Sequence, residues 1–324
     1  MPCSGHGSLS SAMATRAGPR GRRKRFSPDQ NSGVFMTLAD IDSINHVGIV
    51  ARDLGVTSAR YEAMGFTLTP FSPHTGAWKP GEAVTRLGSG NRCVMFGHNY
   101  LEILANEDPA VPSARLEGYL KHHQGGHIIC FNSEDLPSVE RRLIAGGLKT
   151  SGVLPLQRDV DTPDGARTAK FERVQFAPDQ SPEGYIQAAR HLTPAYVYQP
   201  RYTAHANGCT ELSSTTVVVE DLPAFRDRYE TYTGVRAQVD GGAATFPFSL
   251  CSRLVLMDRA TAQRQLPGTL YPPLPGIAAV GFRCPDLARH AQRLREQRIP
   301  FNEGDGRLVV PAEEASGIAV VFES

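Results

Sequence analysis

What this chain of 324 residues lacks narrows its function first. No run approaches the roughly eighteen consecutive apolar residues of a membrane-spanning helix. Charge of one sign is also missing: 34 Lys and Arg face 33 Asp and Glu, a formal net charge of +1. No whole-molecule field therefore draws in a nucleic acid or an anionic membrane. The six cysteines (Cys3, Cys93, Cys130, Cys209, Cys251 and Cys284) form no Cys-x-x-Cys pair. Cys93, Cys130 and Cys251 lie in apolar runs, which predicts buried free thiols and a reducing, cytoplasmic location. There is no Gly-x-Ser-x-Gly elbow and no His-Glu-x-x-His helix. Gly88-Ser-Gly90 runs into a strand instead of a helix, so it cradles no phosphate. Asp161-Thr-Pro-Asp-Gly165 lacks the alternating oxygen ligands of a calcium loop and reads as a turn between strands.

Residues 1–38 form a segment rich in Ser, Gly and Arg, with the run Arg20-Gly-Arg22-Arg23-Lys24-Arg25 and no acidic residue before Asp29. Such a composition builds no core and predicts a disordered basic tail. An organelle transit peptide, a nuclear address, or an upstream start ahead of Met36 are the other readings; no apolar stretch follows the basic cluster as a secretory signal requires.

What the chain does have is an internal repeat. His46-Val-Gly-Ile-Val-Ala-Arg-Asp-Leu54 leads into Arg60-Tyr-Glu62, and Ser214-Thr-Thr-Val-Val-Val-Glu-Asp-Leu222 leads into Arg228-Tyr-Glu230 at the same offsets. Self-similarity at fixed spacing means that one supersecondary unit is reused. From Ile41 onward the rhythm is an apolar strand, an Asp-Leu helix start, an amphipathic helix, a glycine and several short strands, and it recurs four times. The first unit predicts a strand over 44–51, a helix from Asp53 to about Met64, and strands over 66–71, 92–97 and 100–105. The second opens on His127-Ile-Ile-Cys-Phe131, the third spans about 213–258, and the fourth runs from Ile277 to Phe322. The fold class is α+β: four βαβββ modules paired into two domains with cupped mixed sheets. Residues 39–192 form the first domain, 193–212 the linker, and 213–324 the second.

Side chains alternate along a strand, so every second residue points into such a cup. His46 stands among Val47, Ile49 and Val50, and Glu102 among Leu101, Ile103 and Leu104. A buried carboxylate needs a cation, a metal or a wet cavity; the alternative is a strand-edge Glu facing water. The second unit offers His127 where the first has His46, and Tyr-Ile-Gln187 where the first has Tyr-Leu-Glu102. Two imidazoles, a carboxylate and an amide suit a divalent ion such as Fe, Mn, Ni, Co or Zn, with open positions for a chelating substrate. The bland reading of each histidine is a satisfied core residue. His191 competes with Gln187 as fourth ligand, since 187, 189 and 191 share a strand face. His191 and His205 are alternatively structural, ordering the Pro- and Tyr-rich connection. His74, beside Pro73, is placed to reach the cup mouth as an acid or base, or to sit in a surface loop. In the second half Ser214, Val255, Ala278 and Val320 replace the ligand positions, and Glu323 is expected at a solvated end.

These segments resemble the vicinal oxygen chelate superfamily, and within it the glyoxalase-like proteins of the four-module kind. The resemblance is carried by Ile44-Asn-His-Val-Gly-Ile-Val-Ala-Arg-Asp-Leu54, Met64-Gly-Phe-Thr-Leu-Thr-Pro70, Gly90-Asn-Arg-Cys-Val-Met-Phe-Gly97, Tyr100-Leu-Glu-Ile-Leu104, and His191-Leu-Thr-Pro194 with His205-Ala-Asn-Gly208. It covers most of residues 41–210, with a weaker echo beyond. It implies paired βαβββ modules whose metal ligands come from the first and last strand of each module, which here fall on His46, Glu102, His127 and either Gln187 or His191.

The function expected is that of a divalent-metal-dependent enzyme acting on a small oxygenated molecule by bidentate chelation. Lyase or isomerase chemistry of the glyoxalase kind comes first, with Glu102 or His74 moving a proton. A non-haem Fe(II) ring-cleaving dioxygenase is one alternative, and a metal-free ligand-binding or resistance protein is another. The partner is a small-molecule substrate, with neither nucleic acid nor membrane, and the degenerate half is available to support the first cup or a homodimer surface.

Overall fold

A computed structural model describes residues 40–76, 85–106 and 113–324, which lie in one compact unit, Ala39–Ser324. The basic tail expected over 1–38 lies outside the described residues. Four βαβββ modules follow one another along the chain. The first holds β1 (Ser43–Val50), α1 (Leu54–Ala63), β2 (Ser72–Gly76), β3 (Thr85–Met95) and β4 (Tyr100–Asn106). After a bridging α2 (Ala114–His122), the second holds β5 (Gly125–Asn132), α3 (Leu136–Ala145), β6 (Thr150–Thr162), β7 (Gly165–Phe176) and β8 (Tyr185–His191). The short α4 (Pro194–Val197) leads to the third, with β9 (Glu211–Val219), α5 (Leu222–Thr233), β10 (Gln238–Asp240), β11 (Ala243–Pro247) and β12 (Arg253–Asp258). Then α6 (Arg259–Gln265) precedes the fourth, with β13 (Gly276–Arg283), α7 (Leu287–Glu296), β14 (Asn302–Gly304), β15 (Arg307–Val310) and β16 (Ala319–Glu323).

The recurring Asp-Leu is the start signal of each module's main helix. Asp53, Asp135, Asp221 and Asp286 each accept a hydrogen bond from the backbone N–H three residues on, satisfying a donor that the helix leaves free. Within each module the first and last strands pair in parallel, as β1 does with β4 and β5 with β8. Modules join antiparallel through their first strands, β1 with β5 and β9 with β13. The central ladder therefore runs β4-β1-β5-β8 in the first half and β12-β9-β13-β16 in the second.

Strand alternation divides the side chains between two faces. Val47 and Ile49 of β1, Leu101 and Ile103 of β4, Ile129 and Phe131 of β5, and Ile186 and Ala188 of β8 enter one contiguous core with Tyr61, Val139 and Leu143 of the covering helices. That core also contains Val217, Phe282 and Phe322 of the second half. The intervening residues, among them His46, Gly48, Tyr100, Glu102, Ile128 and Gln187, are left for the concave face. Gly48 is required there by close approach, because a Cβ at this position would lie 2.8 Å from the Ile128 Cβ.

One strand forms later than expected. Residues 66–71 are not in the ladder: Thr67 N–H donates to His205 Nδ1 at 3.0 Å and Thr67 Oγ1 to Ala204 O at 2.7 Å. With the chain tied to the inter-half connection, and Pro70 unable to donate, β2 begins only at Ser72. The second half's concave face is filled. Val218, Val255, Met257, Ala262 and Ala278 form one buried cluster, Leu266, Ala279, Val309, Ala319 and Val321 another, and Tyr271 packs against both. Val321 fills this face while Val320 enters the main core. Glu323 is not at a solvated end, as its carboxylate pairs with Arg253 at 2.5 Å and accepts from Ser213 Oγ.

Candidate functional site

The first cup encloses a cavity of about 480 Å³ lined by His46, His74, Tyr100, Glu102, Ile128, Arg158, Phe171, Arg173, Tyr185, Gln187 and His191, among others. The inter-strand register explains which residues meet. Across β4-β1-β5-β8 one row reads Tyr100, His46, Cys130, Gln187 and the next Glu102, Gly48, Ile128, Tyr185. The antiparallel β1–β5 join relates these rows by a local twofold, which exchanges Glu102 with Gln187, Tyr100 with Tyr185 and His46 with Ile128. The counterpart of His46 is thus apolar.

His127 is placed elsewhere. It shares the strand parity of Ile129 and Phe131, its Nε2 hydrogen-bonds His123 O at 2.9 Å, and its ring stacks on Tyr119 and packs against His123. It is therefore a satisfied, buried histidine away from the cavity lining, and it drops out of the ligand set. Burial and the neighbouring His123 hold its pKa down at about 4.

His46 is held by a relay whose proton positions follow from chemistry. Asp42 Oδ1 only accepts, so Asn132 must turn its Nδ2 toward it, at 2.9 Å. Asn132 Oδ1 then accepts from Asn45 Nδ2 at 3.2 Å, which leaves Asn45 Oδ1 facing His46 Nδ1 at 2.8 Å. His46 Nδ1 consequently carries the hydrogen, and Nε2 presents a lone pair to the cup. Burial lowers the His46 pKa to about 4; Arg158 adds to the effect and Glu102 opposes it. The ring stacks on Tyr100 with centroids 4.6 Å apart.

Glu102 faces two imidazoles. Its Oε2 is 3.9 Å from His46 Nε2, and its Oε1 is 3.9 Å from His74 Nε2 and accepts from Asn91 Nδ2 at 2.5 Å. Burial pushes its pKa up, but the charge of His46 and His74 when they are protonated, the Asn91 hydrogen bond and Arg158 together outweigh that and lower it. The carboxylate is thus an anion beside a proton-free imidazole nitrogen. His74 is fixed in turn by Ser89 Oγ at 3.0 Å from its Nδ1.

Gln187 and His191 both reach the cup. Gln187 Oε1 is buried without a hydrogen-bond partner, as is His191 Nδ1. His191 is otherwise engaged by its surroundings, stacked on Tyr198 at 5.2 Å, edge-on to Phe171 at 4.9 Å, with Nε2 3.4 Å from Asn45 Nδ2. His205 braces the connection, with Nε2 on Met95 O at 3.0 Å and its ring against Phe66 and Phe96. Among the described residues no three His, Cys, Asp or Glu side chains gather closely enough to cage an ion. The donors facing the cup that suit a metal are instead a pair, His46 and Glu102, with the amide oxygen of Gln187 on the twofold-related strand. Asn45, Asn91, Arg158 and Arg173 were not singled out by sequence. The polar Asn beside His46 on an apolar strand was the available signal for the first.

A family model described as a glyoxalase-like domain matches residues 44–233. Among curated proteins none matches the chain. Solved structures share its fold at low identity. A hypothetical protein from Staphylococcus aureus is 10% identical, covering 87% of this chain and 99% of its own, with a TM-score of 0.58. A mutant 4-hydroxymandelate synthase from Streptomyces coelicolor is 11% identical, covering 87% and 92%, with a TM-score of 0.56. An extradiol ring-cleaving dioxygenase from B. fuscum is 15% identical, covering 89% and 72%, with a TM-score of 0.50. At such identities the likeness is one of fold.

Proposed function

The chain belongs to the glyoxalase-like family, within the vicinal oxygen chelate superfamily, and from that premise we propose that its first cup is a divalent-metal-assisted site for lyase or isomerase chemistry on a small oxygenated molecule. The observation that carries this reading is the His46–Glu102 pair, a lone pair and an anion 3.9 Å apart on one concave face. Metal–nitrogen and metal–oxygen bonds run to about 2.0–2.2 Å, so one ion fits between these donors. The unpartnered Gln187 oxygen supports a third contact. An imidazole, a carboxylate and an amide oxygen suit Mn, Fe, Co, Ni or Zn. A bound ion supplies polarisation of a chelated carbonyl or enolate oxygen.

The chain's own groups do the rest. The Asp42–Asn132–Asn45 relay keeps the His46 lone pair aimed at the cup. Glu102, ionised, takes a proton from the substrate at a carboxylate oxygen, and His74 holds or returns one through Nε2, beside Oε1. Tyr100, Leu104, Ile128 and Phe171 wall the site with apolar surface. The free thiols of Cys93, Cys130, Cys209, Cys251 and Cys284 support a reducing setting such as the cytoplasm.

Two other readings rest on particular residues. Ile128, standing where the twofold places a second imidazole, favours a metal-free binding protein. His74, as close to Glu102 as His46 is, favours a ring-cleaving dioxygenase if the two imidazoles and the carboxylate draw together on one Fe(II). Metal content of the full chain purified without chelator decides among them. The expectation is a stoichiometric divalent ion that His46→Ala removes. Sub-stoichiometric metal that His46→Ala leaves unchanged makes the chain a binder. Oxygen uptake by the Fe(II)-loaded chain with catechols or α-keto acids makes it a dioxygenase.

A further inference from the structure

The far end of the same cup carries positive charge that the chemistry above leaves unused. Arg115, exposed on α2, lies with its guanidinium carbon 5.5 Å from the centroid of the Tyr185 ring. Arg173, on β7, donates from Nη1 to the Tyr185 hydroxyl, and its Nε is buried with no hydrogen-bond partner. Among the described residues neither guanidinium forms an ion pair within 4.0 Å, although Glu172 also lines the cavity. A buried guanidinium N–H without an acceptor is costly to keep, and its planar fork matches a carboxylate. Leu87, Leu104, Ile128 and Phe171 give the cavity apolar walls.

Resting on the reading of this cup as the reaction site, we propose that its substrate is an organic monocarboxylate with an apolar or aromatic body. The carboxylate seats on Arg173 and Arg115 beside Tyr185, and the oxygen-bearing reactive end lies toward His46 and Glu102. The cavity of about 480 Å³ suits a molecule of this size, since pockets that bury small ligands run from roughly 300 to 1,000 Å³.

The test is calorimetric titration of the full chain with 3-phenylpropanoate and its neutral isostere 3-phenylpropanamide. The acid is expected to bind at least about tenfold tighter, the scale of a hydrogen bond to a charged group. Arg173→Met is expected to abolish that preference, weakening the acid at least about tenfold and the amide by less. Arg115→Gln, at an exposed position where folding is not at stake, is expected to weaken the acid alone. Equal affinity for acid and amide, binding of neither, or a preference that survives both substitutions overturns the assignment. Repeating the titration with His46→Ala separates it from the metal reading. A preference that persists there supports the arginine seat whatever the metal content, and a preference lost there places the carboxylate at His46 and overturns it.

Discussion

The relay behind His46 gives the most direct quantitative handle on the site. Asn45→Ala removes the acceptor of His46 Nδ1–H, the donor to Asn132 Oδ1, and the contact to His191 Nε2, at 2.8, 3.2 and 3.4 Å. His46 is only 8% exposed, so water does not readily replace the lost acceptor. A stranded buried donor costs about 1–3 kcal/mol, and the imidazole is free to rotate or to change tautomer. Loss of the group that orients a metal-bound histidine lowers metal affinity roughly 10- to 100-fold, or about 1.4–2.8 kcal/mol at about 1.4 kcal/mol per decade. Titration of the chelator-stripped chain with Mn(II) or Zn(II), alongside a denaturation curve, separates the two effects. Asn45→Ala is expected to weaken the metal and to lower stability, whereas Asn45→Asp, which keeps an acceptor on Nδ1, is expected to recover most of the affinity. Equal affinity in all three proteins, with stability alone reduced in the alanine variant, refutes the claim that this relay aims the ligand.

Two further outcomes concern packing and pH. Gly48→Ala places a Cβ 2.8 Å from Ile128 Cβ and 2.9 Å from its Cδ1; such overpacking costs about 1–3 kcal/mol, and an unchanged denaturation midpoint contradicts the β1–β5 approach described above. His290 lies 4.0 Å, ring to ring, from Phe322 with neither nitrogen hydrogen-bonded, and burial, then Arg293, lowers its pKa to about 4. Its unfolded form takes up a proton near pH 6.5 that the fold refuses, so the stability held above that pH is lost as pH falls toward about 4. At about pH 5 the loss from this one group is about 2 kcal/mol. His290→Leu is expected to flatten the stability–pH curve by that amount between about pH 7.5 and 5, and a curve with unaltered slope shows that the imidazole is hydrated.

The module plan was legible because it is local. Each Asp-Leu cap and each apolar run writes itself within about a dozen residues, and four copies repeat the message. The site was legible only as far as strand parity. His46 and Glu102 were recoverable because an unusual polar residue on an apolar strand faces whichever side the core does not. His127 satisfied the same rule by sequence and failed in space. Aligning two copies by their histidines assumes that equal residues occupy equal registers, yet the β1–β5 ladder is shifted near Ile44 and again near Gly48, and parity turns over with a shift of one residue. The twofold then pairs His46 with Ile128. The helix caps carry the offset, since His46 stands seven residues before Asp53 whereas Ile128, and not His127, stands seven before Asp135, and Ile129 and Phe131 accordingly pack into the core. The relay, by contrast, is invisible in any one segment: Asn45 and Asn132 are 87 positions apart, and Asn132 and Asp42 are 90 apart. Their juxtaposition is a product of the antiparallel join and not of either strand. A binding site placed at the seam between two repeats therefore hides its supporting residues from any reading of one repeat, and reveals those that break the apolar pattern of their own strand.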